Sequence, residues 1–388
     1  MTTAPERVGP DAAELEALRD AVRDVGTRYA GAGEARRLLD GTPNATADPA
    51  LWRALTGELG IGGLLVPERF GGAEAGWPAA RVVLEELGRS LASTPFVASN
   101  VIATSLLLAS GDVAAGADLL PGIADGGIVA TVAVVERHAG WDEWSRPDAP
   151  GDAVTSARSS ADGWRLTGAK RVVSFGASAQ LLLVVAEVAG TSAIFAVEAA
   201  ADGVDVHPRA TLDATRPVAD LVLADTPARE IALGETVGAA VTQALDLGGL
   251  AIAAEDVGAM RACLETSVEY AKLRTQFDRP IGSFQAVKHK LADMLVRVEL
   301  AESAVEEAAL ALDSNAEDAS ASAVVAHACA AESFRLVAAE TIQTHGGIGF
   351  TWEHAAHLYF RRAKTSALAF GGIARGRERL LARLGLGV

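Results

Sequence analysis

The stretch that decides the fold is Tyr270–Met294, which reads YAKLRTQFDRPIGSFQAVKHKLADM. It connects two long helical patterns, Leu245–Lys272 before it and a second pattern that begins at Val287. Pro280 separates the two, because proline interrupts a helix. Polar side chains that can form several hydrogen bonds cluster around this turn: Arg274, Gln276, Arg279 and Gln285. The stretch therefore predicts two helices joined by a compact polar turn.

The residues after this turn form an apolar seam with helical spacing. Its members follow one another at intervals of three or four residues: Val287, Leu291, Met294, Val298, Ala301, Val305, Ala308 and Leu312. This spacing places them on one side of a long helix, and it predicts burial against neighbouring helices of a bundle. A further pattern, Ala321–Gln343, contains no Gly or Pro and ends near Gly346, as helices commonly do.

Two regions of different character precede this bundle. Residues 1–125 carry helical periodicity, and residues 126–232 consist of short runs of Val, Ile and Leu between Gly, Pro, Asp and Ser. No helix-length pattern separates those runs, and no Gly-x-Gly-x-x-Gly follows one, so a Rossmann site is not predicted. The predicted strands are Gly127–Val135, Gly163–Leu166, Arg171–Val173, Gln180–Val185, Ala193–Val197, Val204–His207 and Leu221–Ala224.

The predicted fold class is therefore α+β. It has an N-terminal helical domain at 1–125, a central antiparallel β-barrel or sandwich at 126–232 and a C-terminal helical bundle at 233–388. A chain of 388 residues is long enough for two or three domains.

Composition excludes several classes of partner. The net charge is −16, so nucleic acid and anionic membrane surfaces are disfavoured. We find no N-terminal secretion signal and no apolar run near the ~20 residues that span a bilayer, so we expect a cytoplasmic protein. The two cysteines, Cys263 and Cys329, are expected to be buried free thiols, and no metal-ligand spacing involves them.

The domain order and two motifs resemble the acyl-CoA dehydrogenase family. One motif is the opening stretch, with Tyr270, Arg274 and Phe277 leading into Pro280. The other is QTHGGIGF at Gln343–Phe350, followed by Arg361-x-Ala363-Lys364. The sequence LEELGRSLASTP in the N-terminal region is also similar to the helical domain of this family. The resemblance covers nearly the whole chain.

The resemblance implies FAD as cofactor and an acyl-CoA thioester as substrate. Arg274 can donate two parallel hydrogen bonds to the pyrophosphate, and Gly346 and Gly347 allow close backbone approach. In the family these groups reach the adenosine diphosphate half of a flavin held mainly by a neighbouring subunit, so a homo- or hetero-tetramer is implied. The electron-transfer partner is not indicated. The implied cofactor contacts are Arg274, Gln276, Phe277, Phe284, Gln285, Gln343, Thr344, His345, Gly346, Gly347 and, at the flavin ring, Ser174. Taken singly, Arg274 could equally be a surface ion-pair partner, and the two glycines a helix cap.

Three departures from the family pattern concern the flavin ring and the turn. The usual Trp-Ile-Thr falls at Val172-Val173-Ser174, so a hydroxyl for flavin N5 remains but the aromatic platform is absent. The stretch AVVERHAGWDEW keeps Glu136 but lacks the usual Gly-Ser-Asp turn, and Asp278 replaces a usual Gly.

A further departure concerns the catalytic base. Removal of a proton from an acyl-CoA needs a desolvated carboxylate, and the resemblance implies a Glu at one of two positions. Those positions are occupied by Phe370 and Gly248, neither of which can accept a proton. Glu255 lies two helical turns beyond Gly248 and is the substitute base to consider, although a helix-face charge or an ion-pair partner explains it as well. His345 and His357 are weaker alternatives.

Three functions stay open on the sequence. The chain is one subunit of a dehydrogenase built from two different chains, and its partner carries the base; the segment Trp352-Glu353-His354 resembles members of this type. Alternatively, it is a self-sufficient homotetrameric flavoenzyme, with a relocated base or with related flavin oxidation or hydroxylation chemistry. In the third case it is a non-catalytic scaffold that binds no flavin.

Overall fold

The computed structural model describes residues 9–41, 48–136, 154–383 and 386. The N-terminal part is helical, and its first helix begins at Asp11, whose side chain accepts hydrogen bonds from two backbone N–H groups of the first turn. A π-helical stretch, Val97–Ala103, leads directly into the fifth helix. The helices are α1 (Ala12–Tyr29), α2 (Ala32–Asp40), α3 (Pro49–Arg53), α4 (Gly76–Arg89), α5 (Thr104–Ser110) and α6 (Val113–Ala124).

The central part is a seven-stranded sheet whose pairings close a circuit. The strands are β1 (Ala130–Ala133), β2 (Ser156–Ser160), β3 (Gly163–Ser174), β4 (Leu181–Val188), β5 (Thr191–Glu198), β6 (Val204–Arg209) and β7 (Val218–Leu233). Strand β4 pairs with β2, β2 with β3, β3 with β7, β7 with β5, and β5 again with β4. Most pairings are antiparallel, as predicted, although β1 and β2 both run parallel to β4.

Two differences from the predicted strands have physical causes. The runs Gly163–Leu166 and Arg171–Val173 belong to one strand, β3, because bulges at Gly168 and Val172 interrupt its pattern while pairing with β7 continues. Strand β2 was not predicted, since its sequence SARSS has no apolar alternation and leaves most side chains exposed.

The C-terminal part is a helical bundle built around one long central helix. Its helices are α7 (Thr236–Leu273), α8 (Gln285–Asp313), α9 (Ala319–His345), α10 (Ala356–Ser366) and α11 (Gly372–Arg383). Between α7 and α8 lies a short hairpin, β8 (Thr275–Gln276) and β9 (Arg279–Pro280). The predicted seam on α8 is buried through its centre, from Met294 to Ala308.

Helix α7 passes through the middle of the molecule. It contains an 18-residue window with mean hydropathy 1.5, which is long and apolar enough to span a bilayer. The expectation that the chain has no such run did not include this window, because small and polar residues interrupt its apolar ones. Of that window, 78% is buried within the chain, as in the core helix of a folded protein. Both cysteines are free; Cys263 on this helix is buried, whereas Cys329 on α9 is half-buried, which corrects the expectation for the second thiol.

The backbones of α4 and α7 touch where the two helices cross. A Cβ atom added to Gly88 would lie 1.8 Å from the carbonyl oxygen of Glu255, and one added to Gly258 would lie 1.7 Å from that of Glu85. Only glycine permits such an approach. The crossing fixes the position of Glu255 relative to helix α4.

Candidate active site

The polar turn between α7 and α8 is an exposed hairpin. Phe277 and Asp278 form its two-residue turn, and both have positive φ, 51° and 59°. This is the conformation that two-residue hairpins favour and that glycine adopts with least strain, which explains why a glycine suits the position of Asp278. The guanidinium of Arg279 lies 4.0 Å from the ring centroid of Phe284. The hairpin is thus held by its own aromatic contacts.

The second motif lies against the base of this hairpin. The ring of His345, at the end of α9, is 4.5 Å from the ring of Tyr270, measured between centroids. His345 Nδ1 is also 2.7 Å from the carbonyl oxygen of Thr341. The two sequence motifs therefore meet, and we call the surface they form the hairpin surface. It comprises the ten residues predicted at the adenosine side: Arg274, Gln276, Phe277, Phe284, Gln285, Gln343, Thr344, His345, Gly346 and Gly347.

The hairpin surface has groups suited to a phosphate. Arg274 is exposed and forms no ion pair with any residue in the described ranges, so the ion-pair alternative has no partner within them. Cβ atoms added to Gly346 and Gly347 would meet nothing within 4 Å, which leaves open space beside the backbone. The buried hydroxyl of Thr344 has no hydrogen-bond partner among the described residues. An unpaired guanidinium, an open backbone and an unused hydroxyl fit the pyrophosphate end of a dinucleotide.

A second site lies at the junction of the three parts of the chain, and we call it the inner pocket. Its volume is about 180 Å³. It is lined mainly by apolar atoms, with a few hydroxyl groups, one guanidinium and one carboxylate among its described residues. The lining residues are Ala92, Thr94, Val97, Ile102, Val172, Ser174, Phe175, Thr215, Arg216, Val218, Ile252, Glu255, Thr365, Leu368, Ala369 and Phe370.

Phe370 forms a buried part of the wall of the inner pocket. Its side chain is buried, and its ring lies 6.2 Å from the ring of His327 between centroids. Burial lowers the pKa of His327 to about 4, so this imidazole is neutral and packs as an apolar neighbour. A Cβ atom added to Gly248 would lie 2.7 Å from Ile102 Cδ1 and 3.1 Å from Phe370 Cζ. The two positions implied for a base therefore face each other and are filled by hydrocarbon.

Glu255 lies in the wall of the inner pocket, but it is paired. Arg216 Nη2 donates a hydrogen bond to Glu255 Oε2 at 2.5 Å, and both side chains are nearly buried. Arg216 Nη1 donates to the hydroxyl of Ser366 at 2.6 Å, and that hydroxyl donates to Asp256 Oδ1 at 2.6 Å. Burial alone would lower the pKa of Arg216, but the carboxylates of Glu255 and Asp256 outweigh it and raise the pKa. The ion-pair explanation of Glu255 is thus the one that the geometry favours.

Two residues that the resemblance places at a flavin ring, Val172 and Ser174, line the inner pocket. Ser174 ends β3 and is half-buried, and its carbonyl oxygen accepts a hydrogen bond from Thr131 Oγ1 at 2.6 Å. Val172, which stands where an aromatic residue is usual, has a positive φ of 54° and presents a small aliphatic side chain at the rim. Glu136 is buried and paired with Lys170, and burial lowers the pKa of Lys170. The rest of the AVVERHAGWDEW stretch, from 137 onward, lies outside the described residues.

The two sites are separated along α7. Glu255 of the inner pocket and Arg274 of the hairpin surface are 19 residues apart, which corresponds to about 28 Å of helix. They therefore form two sites on one chain, one facing inward and one facing outward. His357, a weaker candidate base, packs against Trp352, with ring centroids 4.9 Å apart.

Arg216 is a charged residue of the inner pocket that sequence reasoning had no cause to single out. It lies in the loop before β7, far along the chain from Glu255 and Ser366. Nothing in the local sequence distinguishes Thr215-Arg216-Pro217 from a surface turn. Only the fold reveals that this loop reaches the junction between α7 and α10.

Known proteins resemble the chain over almost its full length. Residues 12–127 match the family model for the acyl-CoA dehydrogenase N-terminal domain, and residues 238–385 match that for the C-terminal domain. The acyl-CoA dehydrogenase IpdE2 of Mycolicibacterium smegmatis is 33% identical over 358 residues, covering 92% of this chain and 94% of that protein. The acyl-CoA dehydrogenase FadE34 of Mycobacterium tuberculosis is 34% identical over 97% of this chain and 48% of its own length.

Solved structures agree with this result. The steroid ACAD Tcur3481-Tcur3483 is 34% identical with a TM-score of 0.82, and the match covers 96% of this chain and 98% of that one. A chain of the ChsE4-ChsE5 complex from Mycobacterium tuberculosis is 29% identical with a TM-score of 0.83, over 98% and 99% of the two chains. With both domains matched and relatives similar throughout, the chain belongs to the acyl-CoA dehydrogenase family of FAD-dependent oxidoreductases.

Proposed function

We propose that this chain is the subunit of a two-chain acyl-CoA dehydrogenase that lacks the catalytic base. In this assembly the hairpin surface binds the adenosine diphosphate half of an FAD seated in a homologous partner chain. The partner supplies the carboxylate that accepts the substrate proton. FAD, when bound, supplies the hydride acceptor of the reaction.

One observation carries this proposal: the ring of Phe370 packs against Gly248. Both positions that would hold a base are apolar, and the carboxylate nearest to them in the inner pocket, Glu255, is bound to Arg216. A pocket of about 180 Å³ with Phe370 in its wall leaves little room for a flavin ring together with an acyl chain. The inner pocket of this chain therefore does not carry out dehydrogenation.

The hairpin surface has the opposite character, since Arg274 is exposed and forms no ion pair within the described ranges. Arg274 binds phosphate oxygens, Gln285 and Gln343 donate from their amides, and Gly346 and Gly347 let the backbone approach the ligand. Phe277 is 86% exposed, as expected of a residue that a second chain covers. These residues hold and orient the cofactor, and they take no part in proton transfer.

Three relatives support an assembly of different chains. The structures named Tcur3481-Tcur3483 and ChsE4-ChsE5 are pairs of chains, and FadE34 is about twice as long as the segment that it shares with this chain. Because the first of these is described as a steroid ACAD, thioesters with a steroid-linked acyl group are the substrates to assay beside simple fatty acyl-CoA.

Co-expression with a homologous chain encoded nearby tests the proposal. The expected product is a stable complex with one FAD for each pair of chains, whereas this chain purified alone is colourless and inactive. A homotetramer that carries one FAD per chain and turns over acyl-CoA alone would contradict it. A stable complex without any flavin would support the scaffold function instead.

A second candidate, a self-sufficient enzyme with Glu255 as base, is favoured only by the position of that carboxylate in the inner pocket. The Glu255→Gln variant separates the two. It abolishes turnover if Glu255 is the base and leaves the turnover of the two-chain complex unchanged if it is not.

A further inference from the structure

We propose that Arg216 is a positioning residue that holds Glu255 out of proton transfer, so that Glu255 is a latent base. This inference rests on the proposed function, in which the inner pocket is catalytically silent. It goes further by naming the contact that prevents Glu255 in the inner pocket from accepting a proton. Phe370 and Gly248 explain why the usual positions lack a base, but they do not explain why a nearby carboxylate fails to replace it.

The first support is the geometry of the pair. Arg216 Nη2 occupies Glu255 Oε2 at 2.5 Å, and the exposed fractions of the two side chains are 13% and 6%. A carboxylate oxygen that already accepts a charge-assisted hydrogen bond is occupied by the guanidinium and is not free to contact a substrate proton. With little water to compete for the guanidinium, this contact persists.

The second support is that Arg216 is itself held on its other side. Its Nη1 donates to the hydroxyl of Ser366 on α10, which in turn donates to Asp256. The guanidinium therefore links the central sheet to two helices of the bundle. It cannot rotate away from Glu255 without losing the hydrogen bond to Ser366 as well.

The third support is that the backbone of Glu255 cannot shift to free the side chain. Gly88 of α4 lies directly on the carbonyl of Glu255, and Gly258 lies on the carbonyl of Glu85 one turn further along. Such close backbone contact leaves no space for α7 to slide or rotate. Glu255 therefore stays within reach of Arg216.

The neighbouring carboxyl group does not take over the role. Asp256 is fully buried, does not line the inner pocket and lies 3.8 Å from Arg216 Nη2. Burial raises its pKa to about 7, so much of it is already protonated at neutral pH. One guanidinium thus faces two carboxyl groups, and it keeps the one that lines the inner pocket, Glu255, paired.

Release of Glu255 has a defined chemical consequence. The free carboxylate accepts the α-proton of a bound thioester: the carbon–hydrogen bond breaks, an oxygen–hydrogen bond forms, and the electron pair moves into the enolate. In heavy water the reverse step returns a deuteron to the same carbon. This exchange needs no oxidant and is therefore measurable apart from dehydrogenation.

The experiment uses the flavin-loaded two-chain complex with wild-type chain, Arg216→Met, Glu255→Gln and the double variant. Deuterium incorporation at the α-carbon of an acyl-CoA is measured by mass spectrometry across the pH range. Arg216→Met is expected to raise the exchange at least tenfold above the level due to the partner, with a pH profile governed by one carboxyl group. The double variant should return to the wild-type level, and Glu255→Gln alone should change nothing.

Ser366→Ala provides a second, milder release, in case Arg216→Met does not fold as judged by its thermal melt. It removes one anchor of Arg216 and is expected to raise the exchange by a smaller factor. Folded, flavin-loaded variants that exchange no faster than wild type would overturn the role of Arg216, as would loss of turnover in Glu255→Gln alone. Failure of the proposed function is seen separately, because the wild-type chain then forms no flavin-loaded complex.

Discussion

The ring of Phe370 lies against Gly248, since a Cβ atom at Gly248 would be 3.1 Å from Phe370 Cζ. These are the two positions at which the family resemblance implies a catalytic carboxylate. A glutamate at Gly248 would collide with Phe370 and Ile102, and a glutamate in place of Phe370 would face a hydrocarbon wall. The loss of the base is therefore a matter of packing as well as of residue type.

Phe370 should stabilise the fold. Truncation by Phe370→Ala removes a buried ring that is 6% exposed, and we expect a loss of about 3 kcal/mol in the free energy of unfolding. Leu368→Ala in the same segment is the control, because Leu368 is 73% exposed and its loss should cost less than about 0.5 kcal/mol. Denaturant unfolding of both variants measures the difference; equal stabilities would show that Phe370 is not a packing residue.

The crossing of α4 and α7 should tolerate no side chain at Gly88. A Cβ atom there would stand 1.8 Å from a backbone oxygen of Glu255, so Gly88→Ala must separate the helices and should cost about 3 kcal/mol or more. Gly57→Ala is the matched control, because the nearest atom to its added Cβ is 3.8 Å away. That control should be neutral or stabilising by up to about 1 kcal/mol. A Gly88→Ala protein as stable as Gly57→Ala would refute the close contact.

Asp256 should make stability fall as pH rises toward neutrality. Burial raises the pKa of Asp256 to about 7 in the fold, from an ordinary value of 3.8, so between these values the folded chain holds a proton that the unfolded chain has lost. The contribution is fully present below the unfolded pKa and is lost as pH rises through the folded pKa, by up to about 1.4 kcal/mol per pH unit.

The Asp256→Asn variant removes this titration and should flatten the curve of melting temperature against pH between pH 4 and pH 7, because all other titrating groups contribute equally to both proteins. Asp293→Asn, at an exposed position of α8, is the control and should keep the wild-type slope. The same slope in wild type and Asp256→Asn would mean that Asp256 is ionised throughout.

Arg274 should matter for flavin and little for stability. Because it is exposed and unpaired within the described ranges, Arg274→Met is expected to leave the melting temperature of the isolated chain unchanged. In the complex it should weaken FAD binding by about 10- to 100-fold, the loss of one charged hydrogen-bonding group. Arg297→Met on α8 is the control. Unchanged FAD affinity in a titration of the Arg274→Met complex would remove Arg274 from the cofactor site.

Regular elements were predictable where the pattern repeats over many residues. The seam of α8 and the helix end near Gly346 are examples, because periodicity and glycine act locally. The resemblance assigned both motifs to one cofactor site, and the structure brings them into contact through the rings of Tyr270 and His345. The assignment of the hairpin surface to FAD stays a prediction.

Contacts between distant segments were not predictable from the chain alone. The parallel pairing of β1 with β4 joins residues about fifty positions apart, and strand β2 has no apolar pattern to reveal it. The pairing of Arg216 with Glu255 depends on where a loop of the central sheet meets α7 and α10. Such contacts are set by the packing of whole elements, which local residue patterns do not encode.

The central claim is that this chain binds the phosphate end of FAD and supplies no base. Its most direct test is anaerobic mixing of acyl-CoA with the chain alone, reconstituted with excess FAD, and with the two-chain complex, while the flavin absorbance is followed. We expect bleaching only in the complex, at a rate that Glu255→Gln leaves unchanged. Bleaching by the chain alone that disappears in Glu255→Gln would contradict the claim.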